Sequence, residues 1–428
     1  MLGKQQFYKS LARAISLAVT IAFALALVLT TESALAQTFK VLHTFTGELD
    51  GANPSAGLTM DRAGNLYGTA ARGGATGYGT VFKLAYKGSS WVLTPLYSFP
   101  AGSDGASPYA SVIFGPNGSL YGTTGHGGGI GGCGADGCGT VFNLRPSATV
   151  CKTALCFWTE TVLHRFSGGS DGGSPYSAVV FDQAGNLYGT TSAGGSNNSG
   201  TVYKLAPSGG SWIETVLHNF TGGSDGSYPD AGLIFDNAGN LYGTTYSGGS
   251  GAFGTVFQLT PSGPGWTENI LHNFQSEGEG GCCPSAGLIL DSSGNLYGAA
   301  SAGGSRVGGT VFELTPSSGN WTFTVLYSLQ GNGTGPVRDL VMDKSGNLYG
   351  AAYTDGAHLS GSVFKLTPSH GSWTYTDLHD FTGGSDGGIP QSNLVFDASG
   401  NLYGTTVYGG SPSCGAGGGC GVVFEITL

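Results

Sequence analysis

Five of the eight histidines stand in one short pattern, L-H-x-F, at His43, His164, His218, His272 and His379, and Tyr97 and Tyr327 take the same place in two further copies. A general base or metal ligand would not recur in this way and tolerate tyrosine. These rings are therefore expected to pack on a strand face with the Phe two residues on. His126, His358 and His370 escape the pattern, and no H-E-x-x-H spacing accompanies them. Acids recur too. Asp61, Asp182, Asp236, Asp291, Asp343 and Asp397 open D-x-x-G-N runs, where a carboxylate caps its own turn; Gly115 replaces Asp in one copy. Asp104, Asp171, Asp225 and Asp386 sit in S-D-G runs. Their oxygens are of the kind Ca²⁺ takes, although neither an EF-hand nor a dense D-x-D spacing is present.

Chemistry must be sought where the repetition fails. Asp230, Arg338 and Asp339 break it at the start of a strand. Arg338 beside Asp339 reads either as a ligand contact or as an ion pair between repeats. Tyr109, Tyr176 and Tyr228, with Tyr246, Tyr353 and Tyr408 further along their repeats, read either as an aromatic surface for sugar or peptide or as packing beneath loops. Cysteines fall into four close pairs: Cys133 with Cys138, Cys151 with Cys156, Cys282 with Cys283, and Cys414 with Cys420. Local disulfides are the natural reading in an exported chain, the adjacent pair needing a distorted peptide to close; zinc is the rival, without C-x-x-C spacing or a nearby His. No catalytic constellation emerges. No cofactor is expected, Ca²⁺ at the loop aspartates being the one to test.

The elements that hold these residues follow from two recurring motifs. L-Y-G occurs seven times, from Leu66, Leu120, Leu187, Leu241, Leu296, Leu348 and Leu402, and a G-T-V-F-like run follows each, from Gly79, Gly139, Gly200, Gly254, Gly309, Gly361 and Gly421. One interval is long, and it holds an insertion around Cys133 to Cys156. In the fourth copy four strand-sized runs, a to d, are expected at 231–236, 240–245, 254–260 and 266–274. Four short antiparallel strands per unit make a propeller blade. The chain supplies a d strand first, 39–45, and a c strand last, 422–428, so a seven-bladed all-β propeller closed by its N-terminal strand is expected. All six tryptophans stand eight residues before the Phe or Leu that ends strand d, and eight before Phe45 lies Gln37. The missing seventh Trp falls where a leader would be cut.

That leader is legible in its own right. Lys4, Lys9 and Arg13 precede an apolar run from Ala14 to Leu29 and then Ala34-Leu35-Ala36, the three regions of a secretory signal spanning 1–36, with a single propeller domain at 37–428. Cleavage would remove three basic residues and one acid, taking the net charge from −10 to −12, which argues against nucleic acid as a partner. No later apolar run is long enough to span a membrane. A secreted or periplasmic monomer is expected.

The runs A-G-L-I-F-D-x-A-G-N-L-Y-G-T-T and G-T-V-F-x-L-T-P-S, in the copy beginning at Ala231, resemble the GloVer tandem repeat, and the resemblance extends over 37–428. It implies an exported bacterial repeat protein and carries no activity or catalytic residues; the C-terminal anchors found in that family have no counterpart after Glu425-Ile426-Thr427-Leu428. The D-x-x-G-N-L-Y piece is also similar to NHL and lactonase-type blades. Three functions are carried forward: an extracellular module binding a glycan, peptide or envelope component; a propeller enzyme of lactonase, lyase or quinone-dependent dehydrogenase type; and a structural envelope protein.

Overall fold

The computed structural model describes residues 37–129, 131–146, 158–275, 278–330, 335, 338–414 and 418–428. The expected leader and the Cys151–Cys156 pair lie outside them. Apart from one short 3₁₀ turn, Pro412–Cys414, every described element is a strand, and the strands form seven four-stranded antiparallel sheets. In blade four, strands a to d are Ile234–Phe235, Leu241–Thr245, Thr255–Ser262 and Gly265–Asn273. Blade seven is assembled from both ends of the chain: Val395–Phe396, Leu402–Thr406 and Val422–Thr427 are completed by Thr38–Thr44. The closure expected from the repeat phase is thus formed.

Burial explains the motifs. All five residues of strand b are buried in every blade, because this strand is covered on both faces by neighbouring blades. Strand d, at the outer edge, alternates exposed and half-buried positions, as a strand with one wet face must. The glycine of L-Y-G is required by close approach: a Cβ on Gly243 would lie 2.6 Å from Cζ of Phe257, the strand c aromatic that crosses it. Each Trp reaches back to the Tyr of the preceding blade, as in Tyr188–Trp266 with ring centroids 6.3 Å apart and Tyr242–Trp321 at 6.2 Å.

Strand a is shorter than expected, two residues of ladder where 231–236 was anticipated. The preceding residues spend a carbonyl between blades instead. Thr244 Oγ1 of blade four donates to Ala286 O at 3.0 Å, and Thr69, Thr123, Thr190 and Thr405 do the same to Ala110, Ser177, Ala231 and Ala56. Ala299 and Ala351 replace this threonine in blades five and six. A T244V substitution is expected to lower stability by about 1 kcal/mol, read by urea denaturation, since a buried carbonyl loses its donor. An unchanged midpoint would show that the hydroxyl does not tie the blades.

The repeated aspartates cap their turns as expected. Asp236 accepts from the backbone N–H of Ala238 and Asn240, from Asn240 Nδ2 at 2.7 Å and from Tyr242 OH at 3.0 Å, with Gly239 beyond it at φ +86°. Burial alone would raise these carboxyls, but the hydrogen bonds outweigh it and hold Asp61, Asp182, Asp236, Asp343 and Asp397 below the ordinary value. A depressed carboxylate stabilises the fold above its unfolded pKa and ceases to as pH falls through its folded one. Stability should therefore fall on acidification below about pH 4, and D236N should flatten that fall in a fluorescence titration; a parallel curve would contradict the assignment.

Cys133–Cys138 and Cys414–Cys420 are disulfide-bonded. The expected Cys282–Cys283 bridge is not formed. Cys282 instead lies in an antiparallel bridge with Ala302, and the amide of Cys283 donates to Phe253 O at 2.9 Å, so the backbone is committed on both residues and no cis peptide distorts it. No described helix is long and apolar enough to cross a membrane.

Candidate functional site

The residues just before strand a surround the axis of the ring. Counting back from the turn aspartate, the sixth position holds Ser55, Tyr109, Tyr176, Asp230, Ser285 and Gln391, and the next two hold mostly Ala, Ser and Gly. The small residues let the seven blades converge to a narrow throat, whose free volume is only about 40 Å³. In blade six Arg338 and Asp339 stand where Ala231 and Gly232 stand in blade four, and they fill the throat. Above them opens a mouth of about 390 Å³, lined by Tyr109, Tyr176, Asp230, Ser285, Arg338 and Gln391.

Each group at the mouth is held from behind. Tyr109 and Tyr176 meet edge to face at 5.5 Å, and His126, from the loop after strand b, packs its ring edge against both at 6.0 and 6.4 Å. Gly125 makes room for them, since a Cβ there would fall 2.6 Å from Tyr176 and 2.9 Å from Tyr109. Arg338 Nε donates to Gln391 O at 3.0 Å, and among the described residues the guanidinium closes no ion pair, although the charges of Asp339 and Asp230 act on it. Asp339 is occupied instead by the amide of Gly287 and by Asn393 Nδ2 at 2.7 Å, which ties blades five, six and seven together. Burial pushes Asp230 up to about 6, the charge of Arg338 and a hydrogen bond from Ser192 holding it from rising further. Its Oδ1 is shielded from solvent and has no hydrogen-bond partner among the described residues.

The structure thus brings Tyr109, Tyr176, His126, Arg338 and Asp339 together, with Asp230. Other residues named from the sequence stand elsewhere. Asp171, Asp225 and Asp386 each accept from the backbone amide and hydroxyl of a Ser or Thr four residues before, and Asp104 accepts from Tyr97 OH at 2.6 Å. They belong to four separate blades, and no two share a site. Tyr228 is exposed with φ +55°, His358 is exposed, and neither lines the mouth. The repeated histidines pack on the following Phe as expected, His218 against Phe220 at 4.7 Å, and His164, His218 and His379 also face the loop aspartates Asp171, Asp225 and Asp386.

Two groups escaped the sequence reading. Glu160, Glu214 and Glu268 stand two residues after Trp in three consecutive copies; burial raises them to about 7, 7 and 8. Asp355, Asp377 and Asp380 line a second cavity of about 530 Å³ together with the stacked Tyr327 and Tyr375 rings, 4.9 Å apart. Asp377 is driven up to about 7 by burial, then by the hydrogen bond and charge of Asp380 and the charge of Asp355. The signal was present: Asp377 occupies a position that is Val, Ile or Pro in every other copy.

The fold and site define a seven-bladed propeller whose axis is plugged by charged residues beneath a polar and aromatic mouth. The chain belongs to the Gloeobacter/Verrucomicrobia repeat family, whose model matches residues 28–159, 130–333 and 267–428. No protein curated for function matches it. Among solved structures, the chain is similar to one described as the extracellular domain of a hybrid two component system from B. thetaiotaomicron, with a TM-score of 0.50 and 15% identity. The match covers 91% of this chain and 41% of that one, so the chain spans about two fifths of its length. A gluconolactonase of Xanthomonas campestris matches at a TM-score of 0.42 and 15% identity, over 81% of this chain and 94% of that one. At these identities the likeness concerns the fold.

Proposed function

We propose that this chain is an exported binding module that holds a carbohydrate unit at the channel mouth. The observation that carries the reading is convergence: residues from blades two, three, four, six and seven that break the repeat meet in one concavity of about 390 Å³, within the range of small-molecule sites. Tyrosine faces suit the C–H face of a sugar ring, while Asp230, Ser285, Gln391 and the unpaired guanidinium of Arg338 supply acceptors and donors for its hydroxyls. Export is supported by the leader-like 1–36 and by two disulfides, bonds that persist in oxidising compartments.

The test is a glycan screen followed by titration calorimetry. Y176A should weaken the best ligand by about tenfold, the stacking energy of one ring, while Y228A leaves affinity unchanged. If Asp230 accepts from the ligand, affinity should also decline as pH falls through about 6, where its carboxylate becomes protonated. Equal affinities for Y176A and Y228A would overturn the reading. One observation favours an enzyme instead: a carboxyl titrating near 6 beside a tyrosine and an arginine is suited to general acid–base work. Turnover of a lactone or glycoside that D230N abolishes would establish that alternative.

A further inference from the structure

The residue two places after Trp differs between blades: it is glutamate in blades two, three and four, aromatic in blades five and six, Leu93 in blade one, and Phe39 in blade seven, where Gln37 stands in place of Trp. Where it is aromatic, the ring lies flat on the ring of the preceding blade: Phe323 on His272 at 3.8 Å and 6°, Phe39 on His379 at 3.7 Å and 4°, and Tyr375 on Tyr327 at 4.9 Å and 15°. Where glutamate stands opposite a histidine, as Glu214 and Glu268 do, no ring stacks flat on the imidazole among the described residues, and Glu268 turns a carboxylate toward it. In the cleft between blades three and four, His218 Nε2 stands 3.6 Å from Asp225 Oδ2 and 3.6 Å from Glu268 Oε1. All three ligand atoms lie within 4.8 Å of one another.

These distances are long for hydrogen bonds. Without a glutamate in the cleft the same His–Asp pair closes, to 3.1 Å for His43 with Asp50 and 3.3 Å for His379 with Asp386. Glutamate in the cleft accompanies the wider spacing, and both His218 Nε2 and Glu268 Oε1 are then shielded from solvent with no hydrogen-bond partner among the described residues. Leaving two such groups unsatisfied is costly. A dication with bonds of 2.0–2.2 Å to tetrahedral ligands sets neighbouring ligand atoms about 3.3–3.6 Å apart, which matches the 3.6 Å from His218 to each of the two carboxylates. Asp225 is already aimed by the amide of Thr221, which donates to the same Oδ2 at 2.8 Å, in the manner of an outer-sphere support.

We infer that His218, Asp225 and Glu268 form a site for a zinc-type dication, with one position left to water. One nitrogen and two carboxylate oxygens suit a borderline metal, whereas Ca²⁺ would ask for six to eight oxygens. The neighbouring cleft repeats the residue types in His164, Asp171 and Glu214, with His164 3.6 Å from Asp171, but there the glutamate closes no ion pair with the histidine. The site between blades three and four is the completed version.

The experiment is zinc loading of the purified protein, gel filtration at neutral pH and metal counting, with thermal unfolding alongside. E268F is the informative variant, because it installs the ring that the cleft between blades four and five already carries, and it should fold. Wild type is expected to retain one zinc equivalent more than E268F and to gain thermal stability on zinc addition; E268Q, the control should E268F misfold, should lose both effects. Equal zinc content and equal zinc-induced shifts in wild type and a folded variant would overturn the assignment. Because the readout is zinc and not carbohydrate, this result is independent of the mouth.

Discussion

Removing residues 37–45 is expected to leave a chain that does not fold cooperatively. Strand Thr38–Thr44 supplies the outer strand of blade seven, and Phe45, fully buried, hydrogen-bonds through its amide to Gly421 O at 3.1 Å and packs at 5.3 Å against Phe82 of blade one. Its loss uncovers Val422–Thr427 as a bare apolar edge and empties a core shared with blade one. Deleting Phe45 alone costs about 3–5 kcal/mol and Leu42 about 2–5 kcal/mol. With the ladder, the sum rivals the total stability of a typical domain, about 5–15 kcal/mol. Circular dichroism should show no sharp melting transition and gel filtration should show aggregates, while a peptide of residues 37–47 added in trans should restore monodisperse protein. A truncated chain that melts cooperatively near the wild-type temperature would refute closure by this strand.

D339A is expected to be the most damaging single substitution at the axis. It strips the partner from the Gly287 amide and from Asn393 Nδ2, and it removes the carboxylate whose charge favours the buried Arg338 most. Breaking a buried charge constellation in this way costs about 3–5 kcal/mol. The repeat itself suggests the rescue. R338A/D339G recreates the Ala-Gly pair of blades one, four and five, so the double variant should be more stable than D339A although it departs further from the native sequence. Urea denaturation would decide, and a double variant less stable than the single one would mean that Arg338 and Asp339 stabilise the throat independently of each other.

The architecture was legible because it repeats. Two motifs in one register set the blade count, and the spacing of Trp to Phe located strand d, including the strand in which Gln37 stands in place of Trp. What repetition hides is which exceptions meet. Tyr109, Tyr176 and Asp230 share one repeat position, so their convergence follows from register, yet Ser285 and Gln391 in the same position passed unnoticed because small polar residues look like loop. His126 joins them only through the course of the loop after strand b. The loop aspartates divide in a way their shared motif hides: Asp171, Asp225 and Asp386 each accept from a Ser or Thr four residues before and Asp104 accepts from Tyr97, while Asp225 alone also meets an imidazole and a second carboxylate. Glu268 was missed because three glutamates in three copies read as repetition, whereas Leu93, Phe323, Tyr375 and Phe39 in the other copies were the meaningful contrast. The ladder of strand a fell short for a related reason, since strand propensity carries no information about a carbonyl claimed by a threonine of the preceding blade.

The most direct measurement is a crystal structure of the protein soaked with the best-binding saccharide from the screen. Density is expected at the mouth, with a sugar ring against Tyr109 or Tyr176 and hydroxyls within hydrogen-bonding distance of Asp230 and Arg338. A saccharide bound with full occupancy on the outer strands or in the Asp377 cavity, with the mouth holding only solvent, would contradict the assignment of the channel mouth as the binding site.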